Sequence, residues 1–72
     1  MKLIRKITLE NTQDGHFKRW IGELYDDDTV ITRWGRAELD DDTFQSKMFP
    51  KAGENFLNKK EREKLGKGYE PV

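Results

Sequence analysis

Four consecutive residues, Arg33-Trp34-Gly35-Arg36, concentrate the chemistry that this chain could do. On a β-strand, Trp34 and Arg36 project from one face and Arg33 from the other. An indole is a flat apolar platform on which a sugar or base can stack. A guanidinium two residues on can grip a phosphate through two parallel hydrogen bonds. Gly35 weakens a strand unless something must approach the backbone there. Platform, gap and anion clamp together suit a nucleic-acid contact. Arginine also stacks on indole, so a structural cation–π pair would use the same residues. Residue chemistry leaves the two readings level.

Elsewhere the chemistry is sparse. The single histidine, His16, falls in turn-forming sequence with no cysteine and no nucleophile near it, and reads as a surface residue. Paired carboxylates do acid–base work when burial shifts their pKa values. Asp26-Asp27-Asp28 and Asp40-Asp41-Asp42 are consecutive and loop-borne, so they are expected to stay solvated and ionised. Neither triplet has the alternating oxygen ligands and glycine turn of a calcium loop. No glycine-rich phosphate loop is present. Catalytic residues, metal ligands and cofactors are therefore not expected.

The elements that must position the triplet follow from pattern. Lys2 to Glu10 alternates polar residues with Leu3, Ile7 and Leu9, a strand period. Asn11 to Gly15 is turn chemistry, and Phe17 to Tyr25 reads as a second strand. The three aspartates at 26–28 suit a hairpin tip. Thr29 to Arg36 is a third strand, opened by Thr, Val and Ile. If the tip has three residues, Tyr25 pairs with Thr29 and Trp20 falls opposite Trp34; one residue more would send the indoles to opposite faces. A polar loop runs to Asp42, and Thr43 to Phe49 resumes alternation with Phe44 and Met48. Pro50 fits a first helical turn, and good helix formers continue to Lys64. The helix's apolar stripe is thin (Ala52, Phe56, Leu57 and then Leu65), so it can only lie against a sheet. Gly66 and Gly68 end it, and Tyr69 returns to the core. The expected fold is α+β: a small antiparallel sheet of about four strands with one C-terminal helix packed on it.

Composition sets the outer bounds. The 72 residues form one domain, 1–72, with a modest core and no room for a deep cleft. Charged residues are 39% of the chain, yet acids and bases balance at fourteen each, and the aromatics supply buried area. There is no cysteine, hence no disulfide. No apolar run approaches the roughly 20 residues that span a bilayer. Met1-Lys2-Leu3-Ile4-Arg5 lacks the apolar stretch of a signal peptide. A soluble cytoplasmic protein without a membrane partner is expected. The charge is segregated: residues 44–67 hold Lys47, Lys51, Lys59, Lys60, Arg62, Lys64 and Lys67 against Glu54, Glu61 and Glu63, and acid is packed into 26–28 and 38–42. Such a surface can steer a polyanion to one side despite zero net charge. Solvated faces and loop tips have the same composition.

The order of these features resembles the WGR domains, named for the Trp-Gly-Arg triplet. His16-Phe17-Lys18, Thr29 to Arg36, Gln45, Phe49, Ala52, Phe56 and Lys64-Leu65-Gly66-Lys67-Gly68-Tyr69 follow the family pattern over nearly the whole chain. The resemblance implies a sheet with a packed helix. In the DNA-dependent poly(ADP-ribose) polymerases this domain binds DNA break ends, its Trp on the sugar of a terminal nucleotide and its Arg on phosphate or a neighbouring domain. By position those residues are Trp34 and Arg36. No polymerase activity is implied, and free-standing bacterial members exist. The chain departs from the family after the triplet, where Glu38, Asp40, Asp41 and Asp42 replace a glycine-rich turn. A polar residue that can touch the DNA backbone before the second strand corresponds loosely to Gly15 or His16.

The expectation is a non-enzymatic binding module that contacts nucleic acid, a DNA end or backbone, through Trp34, Gly35 and Arg36, with Lys18 and Lys47 in support. The alternative is a protein-interaction module that docks through the same Trp and Arg, its acidic loop facing a basic partner. Four carboxylates near Arg36 are also expected to repel phosphate and so gate binding.

Overall fold

The chain alternates polar and apolar residues until Phe49, and in a computed structural model this pattern produces strands that share one twisted sheet. The structure describes every residue except His16, and the side chain of Asp14 also lies outside the description. The strands are β1 (Leu3–Asn11), β2 (Lys18–Tyr25), β3 (Val30–Arg36), β4 (Gln45–Phe49) and a short β5 (Glu70–Pro71). Their spatial order is β4-β3-β2-β1-β5, antiparallel throughout. Helix α1 (Gly53–Gly66) packs on β2 and β3. The α+β architecture read from the sequence is present, with β5 added where the tail pairs with Leu9 and Glu10 of β1. No helix of the described residues is long and apolar enough to cross a membrane.

The β2–β3 tip has three residues. The Tyr25 N–H donates to Thr29 O at 2.9 Å, and the register then sets Trp20 opposite Trp34. The aspartates are structural: Asp28 takes a left-handed φ of 67°, which Asp tolerates, and its carbonyl accepts from the Gly53 N–H. The Asp27 carboxylate accepts from the Thr29 N–H at 3.0 Å, and hydrogen bonding from the Thr29 side chain, then from this N–H, holds its pKa below the ordinary value. Asp26 accepts from the Lys2 N–H at 2.9 Å.

Register divides the side chains between two faces. Ile7, Leu9, Trp20, Leu24 and Val30 meet Leu57 of α1 in the core, with Phe49, Ala52, Phe56 and Tyr69 packed against them. Gly22 lies under the helix: a Cβ there would come within 2.6 Å of Leu57 and 2.7 Å of Trp20, so only glycine lets the helix approach. On the reverse face Ile21, Ile31 and Phe44 are buried. A bulge between Leu3 and Arg5 shifts the register, and Leu3 is exposed instead of joining Ile7 and Leu9 in the core.

Two boundaries differ from expectation. Pro50 is not in the helix: it forms a turn with Lys51, whose φ is 55°, and the helix begins at Gly53. The chain must leave edge strand β4 and cross onto the sheet face, and that reversal occupies the residues that would otherwise make the first turn. The fourth strand begins at Gln45, because 41–43 form a 3-10 turn that buries Phe44; Met48 lies exposed.

Candidate functional site

Near the C-terminal half of α1 the helix-facing side of the sheet changes from apolar to basic. Trp20 is sealed in the core at 2% exposure, whereas its cross-strand neighbour Trp34 is 37% exposed, beyond the part of the sheet that buries Trp20. Trp34 belongs to no core cluster. Arg36 follows on the same face with its side chain 76% exposed, and Lys18 is its register partner on β2. Lys47 is the partner of Thr32 on β4 and so also shares the face of Trp34. The structure thus brings Trp34, Arg36, Lys18 and Lys47 together. Arg33 points the other way, bonded to Glu23 at 3.1 Å.

Gly35 requires a correction. Its missing side chain would point to the reverse face, where a Cβ would meet the Phe44 ring at 2.6 Å. The space that a side chain would take is filled by the chain itself, while the Gly35 backbone lines the depression that Trp34 and Arg36 share. Nor does an Arg36–indole pair hold Trp34: the cation–π contacts among the described residues are Lys47–Phe49, Lys60–Phe56 and Lys64–Tyr69, at 5.3, 5.5 and 5.6 Å.

The residues that sequence reasoning missed come from α1. Lys60, Lys64 and Lys67 recur at i, i+4 and i+7, which places them on one helical face, and that face borders Trp34. With Lys47, Trp34 and one carboxylate, Glu63, they line a groove of about 310 Å³. Lys18, Arg36, Lys64, Tyr69 and the other side of Trp34 line an adjoining depression of about 270 Å³. The stripe was legible as a spacing, but only the sheet order shows that it faces the indole. Elsewhere on the helix Glu54, Asn58 and Glu61 bind Arg5 of β1 at 3.7, 2.6 and 3.5 Å, while Glu63 remains at the groove.

Electrostatics reinforce the asymmetry. Burial, then repulsion from Lys67 and Lys60, push the Lys64 pKa below the ordinary lysine value; Lys18 adds to this, and Glu63 opposes it. Among the described residues Lys18, Lys47, Lys64 and Lys67 make no ion pair; Lys60 has Glu63 at 3.8 Å and Arg36 has Glu38 at 3.9 Å. On the reverse face the arginines are satisfied. Arg19 holds Glu10 at 2.7 Å and Asp41 at 2.9 Å, and those bonds raise its pKa.

The acidic loop is divided by the same geometry. Glu38 lies beside Arg36, but Asp41 is bound to Arg19, and Asp41 and Asp42 line a depression with Lys6, Glu23 and Arg33 on the reverse face. Glu38 and the exposed Asp40 are left to gate an anion at Arg36, and of the two only Glu38 is paired with it among the described residues. Both members of that pair are exposed, so the effect is modest, in the range of about 0.2–1 kcal/mol. Glu38→Gln is expected to strengthen anion binding roughly 1.5- to 5-fold at low salt, with Asp41→Asn and Asp42→Asn near neutral, as read by affinity titration.

Comparison with known protein families, with curated proteins and with solved structures finds no match to this chain.

Proposed function

We propose that this domain is a non-enzymatic, WGR-like module that binds nucleic acid, a DNA end or backbone, with Trp34 as stacking platform and Arg36 as phosphate clamp. Lys18 and Lys47 flank them, and Lys60, Lys64 and Lys67 extend the cationic surface along α1. The single observation that carries the reading is the exposed indole of Trp34, set among Lys18, Lys47, Lys64 and Lys67, which make no ion pair among the described residues. Stacking on an aromatic and charge on the backbone are the two contributions that single-strand and end recognition combine. The order of motifs shared with WGR domains supports the same reading.

The test is the salt dependence of binding. Each phosphate neutralised releases condensed counterions, so affinity falls steeply as salt rises. Arg36→Ala is expected to weaken DNA binding and flatten the log–log salt slope by about one unit. A weakened but salt-insensitive interaction would instead match a protein partner anchored on Trp34.

A further inference from the structure

We infer that the face around Trp34 is a track for single-stranded nucleic acid, with Phe17 as a second stacking platform. The inference rests on the nucleic-acid reading above and names the form of the ligand. Phe17 lies just before β2 and outside the core, 55% exposed. It lines a depression of about 340 Å³ with Gly15, Lys18, Arg36 and Glu38. That depression shares Lys18 and Arg36 with the one beside Tyr69, which in turn shares Trp34 and Lys64 with the groove bordered by Lys47, Lys60 and Lys67.

Three depressions therefore run in series, each bordered by at least two cations, with aromatic rings in separate members of the series. A duplex hides its base faces except at the terminal pair, so a blunt end can occupy one platform only. Unpaired bases each expose a face and can use both, while the phosphates between them pass Lys18 and Arg36. Two platforms separated by cations fit a short run of unpaired nucleotides better than a blunt end.

The test compares a short 5′-phosphorylated oligothymidylate, an abasic strand of the same length and a blunt 5′-phosphorylated hairpin, titrated at low salt with tryptophan fluorescence. The thymidylate is expected to bind more tightly than the hairpin and the abasic strand. Phe17→Ala, at a site outside the core, is expected to weaken thymidylate binding roughly 5- to 150-fold, the range of one base–aromatic contact, and to leave the hairpin unaffected. Lys6→Ala on the reverse face should change neither. Equal affinity for the abasic strand overturns the track in favour of a surface for any polyanion. A preference for the hairpin with a silent Phe17→Ala overturns the track but leaves end binding standing. Binding to none of the three overturns both readings.

Discussion

Replacing Trp20 by alanine is expected to remove about 3–5 kcal/mol of stability, the range for a large aromatic truncated in a core. At about 0.05–0.15 kcal/mol per residue, a domain of this size has roughly 4–11 kcal/mol in total, so Trp20→Ala should leave it marginal or unfolded. Trp34→Ala should behave in the opposite way. The two tryptophans are register partners on one face of β2 and β3, but only Trp20 is enclosed by the helix and the core. Trp34→Ala should melt close to the parent while losing roughly 1–3 kcal/mol of nucleic-acid affinity, the stacking range. Thermal denaturation beside affinity titration separates the two substitutions. A Trp34→Ala variant that collapses like Trp20→Ala would return Trp34 to a structural role. A folded one that binds nucleic acid as before would transfer the surface to a protein partner.

The second large effect is electrostatic. Lys47, Lys64 and Lys67 border one groove and have no acidic partner among the described residues. Changing all three to glutamine is expected to flatten the log–log salt slope by about two units, at roughly 0.7 per phosphate for a single strand. Stability should fall modestly, since the Lys47–Phe49 and Lys64–Tyr69 contacts are lost at roughly 0.5–1 kcal/mol each, and relief of the charge penalty at Lys64 offsets part of this. Its lowered pKa means that folding disfavours the charged form: the penalty is complete well below the folded pKa and disappears as pH rises toward 10.5. Binding should move the other way in that window, since Lys64 loses its charge before an ordinary lysine. A triple variant with an unchanged salt slope would place the phosphates elsewhere.

How much of this was legible depended on whether the deciding partner was local. The Trp20–Trp34 pairing follows from a three-residue tip, and the tip was written in three aspartates between two strand-like runs. The face of Trp34 and Arg36, and the opposite face of Arg33, followed from strand alternation alone. Gly35 was misread because its reason is Phe44, nine residues on, which arrives only after the acidic loop has folded back over the reverse face. That same fold removed Asp41 and Asp42 from the neighbourhood of Arg36. The helix start was obscured because Pro50 fits both a first helical turn and the turn that precedes it, and the left-handed Lys51 decides between them. The lysine stripe on α1 could be counted, but a stripe shows only that residues share a face, not what the face meets.

Chemical-shift mapping tests the central claim most directly. The ligand is a 5′-phosphorylated DNA hairpin with a short single-stranded overhang, added at low salt to the isotope-labelled domain. The account predicts that the Trp34 indole Nε1–H, Arg36 and Lys64 shift together with saturation, while the Trp20 indole and the Arg33–Glu23 pair on the reverse face stay in place. Shifts centred on Arg33 and the Asp41–Asp42 depression, or no saturable shift at the Trp34 indole, would contradict it.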